Sequence, residues 1–183
     1  MGRPHETIDH RLAEWIEAQP VFFVATAPSS PTGHVNCSPK GNRRELVVLS
    51  DSSVAYLDQT GSGAETIAHL LENGRIVLMF CAFDGPPRIV RIHGHGRVLL
   101  ASSDGFEEVA SRFGGASGVG VRSVIVVEAT RIADSCGYGV PMMRMIGHRE
   151  VLDEWAIRKG RDGIEKYWKD NNALSIDSLP GMD

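Results

Sequence analysis

Two apolar runs set close together constrain this chain more than any other feature. Arg75 to Ala82 reads RIVLMFCA and Arg88 to Leu100 reads RIVRIHGHGRVLL, joined by a connection built on Asp84, Gly85, Pro86 and Pro87. Each run is rich in β-branched residues and bounded by turn formers, which predicts a strand. The rigid connection between them is too short for a parallel crossover, so the two must pair as an antiparallel hairpin. In the second run Arg91, His93, His95 and Arg97 alternate onto one face. Glycine inside it, at Gly94 and Gly96, marks a bulge or a place where another backbone or a ligand comes close. The His-x-His has no cysteine or carboxylate ligand beside it, so it reads as polar-face histidines and not as a metal pair.

The same pattern recurs along the chain. Val21 to Ala27 is a short apolar run ended by Pro28, Ser29, Ser30, Pro31 and Gly33, with His34 to Ser38 returning as its partner. Leu46–Leu49 and Val54–Leu57 flank Asp51, Ser52 and Ser53, which favour a turn through side-chain bonds to local backbone. Ser123 to Ala129 is a further strand. Helical spacing appears at Ile8, Leu12, Trp15 and Ile16, closed by Pro20, predicting a helix over about 7–19. It appears again at Ile67, Leu70 and Leu71, where Asn73 and Gly74 supply a left-handed stop. Ser102 or Ser103 caps a helix running through Phe113. Beyond Pro141 a helical extension over about 149–183 is expected, with one helix ending near Gly160, a second carrying Ile164, Tyr167 and Trp168, and an irregular tail from Asn171. Six or seven strands joined by short turns give a mainly β fold with peripheral helices, an antiparallel sheet whose closure into a barrel would remove exposed edges. One domain over 1–183 is expected, with 42% hydrophobic residues to build its core.

Composition excludes several classes of function. A formal net charge of −4 provides no basic field for nucleic acid or an anionic membrane. Cys37, Cys81 and Cys136 form no CxxC pair, which argues against a zinc site or a disulfide framework and favours a reducing, cytoplasmic setting. No apolar run approaches the ~20 residues needed to span a bilayer. No metal site is expected.

Four segments have the residue types for chemistry. Asn36-Cys37-Ser38-Pro39-Lys40-Gly41 holds a lysine in a constrained turn, either a point charge for a phosphate or a solvated surface lysine. Leu57 to Thr66, LDQTGSGAET, runs from strand through a Gly-rich loop into a helix, where free N–H groups and the helix dipole favour an anion. Ser62 and Glu65 equally have the spacing of a capping box, which would satisfy those N–H groups internally. The third segment is the His-x-His strand with Arg88 and Arg91. The fourth, Ser135-Cys136-Gly137-Tyr138-Gly139-Val140-Pro141, reads as a structural turn, because no base pairs with Cys136 in the sequence.

Taken in order, VNCSPKG, YLDQTGSGAETIAHLLENGRIVLMF and PPRIVRIHGHGRV resemble the FMN-binding core of the pyridoxamine 5'-phosphate oxidase-like family over roughly residues 20 to 130. The SCGYGVP loop and the stretch from Trp155 to Gly181 resemble its "pyridoxamine 5'-phosphate oxidase-related" bacterial members. The resemblance implies a six-stranded split β-barrel, a homodimer, and FMN in the groove between subunits, serving an oxidoreductase that acts on a small molecule. Ser38 and Lys40 would then face the cofactor, and Asp58, Thr60 and Gly61 would line the flavin. Ser62 and Thr66 would help hold the phosphate, and Arg88 and Arg91 would reach the cofactor from the same subunit or its partner. The alternative within the same scaffold is a binding or sensing protein for a flavin (FMN or FAD), a deazaflavin or haem, with His93 or His95 as haem ligands. The chain departs from the oxidases of the family: their Ser-Arg-Lys phosphate signature is Gly-Ser-Gly-Ala-Glu-Thr here, and their C-terminal Arg-x-His is not recognisable. The resemblance therefore implies the scaffold and the cofactor, not vitamin B6 oxidation.

Overall fold

The computed structural model describes residues 4–115 and 118–182. Strands β1 (Pro4–His5), β2 (Phe22–Thr26), β3 (Asn36–Lys40), β4 (Leu46–Val48), β5 (Ser53–Gln59), β6 (Arg75–Cys81), β7 (Ile89–Leu100) and β8 (Val121–Ser135) form one antiparallel sheet. Its path is β3-β2-β6-β7-β8-β5-β4, with β1 added on the far half of β8. The sheet curls into a half-barrel of seven strands plus the two-residue β1, against the six expected. Helices α1 (His10–Glu17), α2 (Glu65–Asn73), α3 (Phe106–Ala110) and α4 (Val151–Asn171) lie at its periphery.

Residues 54–57 of β5 and 124–127 of β8 are continuous apolar runs because both faces of the sheet are covered there. Alternate residues point to opposite sides. Val54, Tyr56, Ile125 and Val127 therefore enter one core with Leu12, Ile16, Phe80 and Ile92, while Ala55, Leu57, Val124 and Val126 enter a second with Phe106 and Phe113. The predicted β6–β7 hairpin is present, with Leu78 opposite Ile92 and Phe80 opposite Val90. Its glycines act as the pattern requires. The β7–β8 register shifts between His93 and Gly94, and a Cβ on Gly94 would collide with the Glu128 carbonyl oxygen. Arg91, His93, His95 and Arg97 share the less buried face.

Other elements differ in extent. β8 runs to Ser135, six residues past the expected end, because its polar second half is held by backbone pairing to β1 and β7. The helix expected from Ser102 or Ser103 begins only at Phe106, with Gly105 at its N-cap and no side-chain cap, and ends in a 3₁₀ turn over Ser111–Phe113. The break in the C-terminal extension falls where the sequence predicts it: Gly160 leaves helical geometry at φ 65°, and Trp155 and Tyr167 pack edge to face across it. The tail from Asn172 folds back as a small hairpin, with Gly181 N donating to Ala173 O and Met182 N to Asn172 O. Among the described residues, no helix is long and apolar enough to cross a membrane.

Candidate functional site

The curl of the sheet brings β3 against the end of β5. At that seam Asp58 is fully buried, and its carboxylate accepts from Lys40 Nζ at 2.8 Å and from Arg122 Nε at 2.6 Å. Burial pushes the Asp58 pKa up, but Lys40 and Arg122 outweigh it and hold the group down to about 2. Arg122 also donates through Nη1 to the Gly63 carbonyl at 2.8 Å and to Asn172 Oδ1 at 3.0 Å. One guanidinium thus joins the strand, the loop that follows it and the C-terminal extension.

The loop from Thr60 into α2 is fixed from several sides. The Thr60 hydroxyl donates to Gly120 O at 2.7 Å and accepts from Trp168 Nε1 at 2.8 Å. Gly61 O accepts from Asn172 Nδ2 at 3.1 Å. Of the two readings of this segment, the capping box does not form: the N-cap of α2 is Ala64, which carries no side-chain cap, and Glu65 folds back over Gly63 to accept from the Ile176 N–H at 3.2 Å. The tail competes for Glu65 and takes it, leaving the N–H groups at the helix start free. Ser62 stays exposed, and its hydroxyl has no partner among the described residues. The first-turn N–H groups of α2, orphaned in any helix, likewise find no acceptor among those residues.

Beneath α2 a second polar chain reaches β3. Ser38 Oγ donates to Asn36 Oδ1 at 3.0 Å, and Asn36 Nδ2 donates to Thr66 Oγ1 at 3.0 Å. His69 Nδ1 lies 2.9 Å from the Thr26 hydroxyl, with Nε2 buried and without a partner among the described residues. Burial lowers the His69 pKa, so the ring is neutral at pH 7.

Seven residues singled out from the sequence therefore meet at one end of the barrel: Ser38, Lys40, Asp58, Thr60, Gly61, Ser62 and Thr66. Arg88 and Arg91 do not join them. Arg88 makes a two-pronged pair with Asp134, at 3.1 and 3.0 Å, and lies over the Trp15 ring at 4.6 Å. Arg91 Nη1 donates to Ser135 Oγ at 3.0 Å. Both sit against the last residues of β8, whereas Asp58 pairs with Ser123 near its start.

Three residues of the site escaped the sequence reading. Arg122 carries a signal, a charge inside the buried run VRSVIVV, where an arginine needs a partner. Trp168 and Asn172 carry none, since they reach the loop only through the tertiary fold.

A family model described as pyridoxamine 5'-phosphate oxidase matches residues 8–136. A pyridoxamine 5'-phosphate oxidase family protein, ustO of Aspergillus flavus, is 38% identical over 97% of this chain and 77% of its own length. Among solved structures, HupZ of Group A Streptococcus superposes with a TM-score of 0.57 at 19% identity, covering 75% of this chain and 99% of that one. An FMN-binding protein of Syntrophomonas wolfei gives 0.50 at 16% identity, covering 75% and 91%. These two likenesses establish the fold.

Proposed function

The chain belongs to the pyridoxamine 5'-phosphate oxidase family, and from that premise we propose that it binds FMN between two copies of itself and works as an FMN-dependent oxidoreductase on a small molecule. The observation that carries the reading is the start of α2. Its N–H groups and the Ser62 hydroxyl are unpartnered among the described residues, on a loop that Arg122, Asn172 and Trp168 hold in place. Such a terminus suits a phosphate. The residues fit the cofactor through these donors, while the nearest cations, Lys40 and Arg122, already serve Asp58.

FMN, when bound, supplies the redox chemistry of its ring, and the protein's part is binding, orientation and electrostatics. The Asp58 network keeps the loop rigid. Gly61 stands in the open, with no described atom within 4 Å of where a Cβ would lie, and so leaves room for close approach of a flat ring. Within one copy Arg88 and Arg91 are held by Asp134 and Ser135 and not by the Asp58 network, and on this reading a partner copy contributes them. The exposed Met142, Met143, Met145 and Ile146 support such a partner, because an apolar stretch of this kind marks an interaction surface.

The test is the absorption spectrum of the purified protein, followed by titration of FMN fluorescence and oxidation of NAD(P)H by the yellow form. Flavin bands, quenched FMN and turnover support the proposal; colourless protein that leaves added FMN unquenched overturns it. The second reading, binding without turnover, draws on His93 and His95, exposed on β7 with side chains free of partners among the described residues. A haem spectrum, or a flavin bound as FAD or deazaflavin without turnover, selects it.

A further inference from the structure

The turn after β3 and the start of α4 face each other across a cleft of about 670 Å³, within the range of small-molecule sites. The turn is pinned. The buried Glu45 carboxylate accepts from Asn42 N at 2.9 Å, Leu57 N donates to Glu45 O at 2.8 Å, and Gly41 O accepts from His148 Nδ1 at 2.9 Å. Arg43 and Arg44 are therefore presented to the cleft from a fixed frame. Arg44 does so at φ 53°, in the left-handed region where a non-glycine residue is strained. The backbone there would prefer glycine, so the fold gives no reason for an arginine.

Arg149 lines the same cleft one residue before the N-cap Glu150, at the positive end of α4, where the helix dipole disfavours a cation. Among the described residues, none of these three guanidinium groups makes an ion pair. The acids of the cleft, by contrast, have structural reasons. Glu150, Asp153 and Glu154 occupy the N-cap and first turn of α4, which its dipole favours, and Glu154 also pairs with Arg158 at 3.7 Å.

We propose that this cleft is an anion subsite, in which Arg43, Arg44 and Arg149 hold the carboxylate or phosphate of the small molecule on which the protein acts. Its position suits that role. Gln59 and Gly120 line it, and Gly120 O is the acceptor for Thr60, so an anion bound here lies beside the loop assigned to the cofactor. Seven of the sixteen lining residues, between 148 and 157, fall outside the family match at 8–136, so the C-terminal extension builds one side of the cleft. Only the identity of the anion as substrate rests on the FMN reading; anion binding does not.

The experiment follows the arginine Nε–Hε signals of the full-length ¹⁵N-labelled protein during titration with inorganic phosphate and, separately, acetate, at constant ionic strength. Saturable shifts of Arg43, Arg44 and Arg149 are expected, and the tighter of the two anions identifies the group. Arg44→Gly, which suits the backbone, and the exposed Arg149→Gln should each weaken the preferred anion tenfold or more. Shifts that do not saturate, or that spread over all arginines, overturn the proposal. So does an equal loss of FMN affinity in both variants, which would place these arginines in the cofactor site. If the unaltered protein takes up no FMN but binds phosphate or acetate saturably at these three arginines, the proposed function falls and the subsite stands.

Discussion

Replacing Asp58 with Asn removes the one anion that two buried cations share. In the native protein the group titrates at about 2 against an ordinary 3.8, and a depression of that size corresponds to about 2–3 kcal/mol of pH-linked stability. The folded value is the lower one, so this contribution is complete above about pH 4 and is lost as the pH falls through about 2. The variant loses more than that at neutral pH. Lys40 and Arg122 stay largely buried, at 13% and 5% side-chain exposure, and face an amide that cannot compensate them. Breaking a buried pair in this way costs about 3–5 kcal/mol. Urea unfolding at pH 7 should therefore place Asp58→Asn about 3–5 kcal/mol below the native protein, with the gap narrowing between pH 4 and 2 as native Asp58 is protonated. A loss under about 1 kcal/mol at pH 7, or a gap that stays constant across that window, would refute the assignment of the seam's stability to this network.

Gly94→Ala should destabilise by about 1–3 kcal/mol in the same assay, since the new methyl meets the Glu128 carbonyl at the β7–β8 bulge. Ser62→Asp should leave the melting temperature level or higher, because an acid near the start of α2 complements the dipole, yet weaken FMN at least tenfold in a fluorescence titration; unchanged affinity would remove this helix start from the phosphate site. Arg44→Gly should gain about 1 kcal/mol of stability by relieving the left-handed arginine, read as a rise in the urea midpoint, so that any loss of anion binding in that variant cannot be ascribed to unfolding.

How much of this was legible in the sequence depends on the range over which each residue acts. The β6–β7 hairpin, the stop at Gly74 and the break at Gly160 are local, and two-fold or helical spacing beside a turn former carries them in full. The end of β8 was not legible, because residues 130–135 have no apolar alternation and pair only because β1 and β7 arrive beside them. Ser62 and Glu65 show the other kind of failure. Their spacing is right for a capping box, but a tail more than a hundred residues away competes for the glutamate and wins. Lys40 follows the same logic. A lysine held in a constrained turn at a strand end does signal an anion, and the sequence cannot say which one. In the fold the nearest is Asp58, eighteen residues on, and burial makes that choice, since an Asp58 carboxylate with no water must take whatever cations reach it. The cation expected to wait for a ligand instead fixes the loop that the ligand would meet, whereas Arg43, Arg44 and Arg149, exposed at the cleft and without an ion pair among the described residues, stay free to meet an anion from outside the chain.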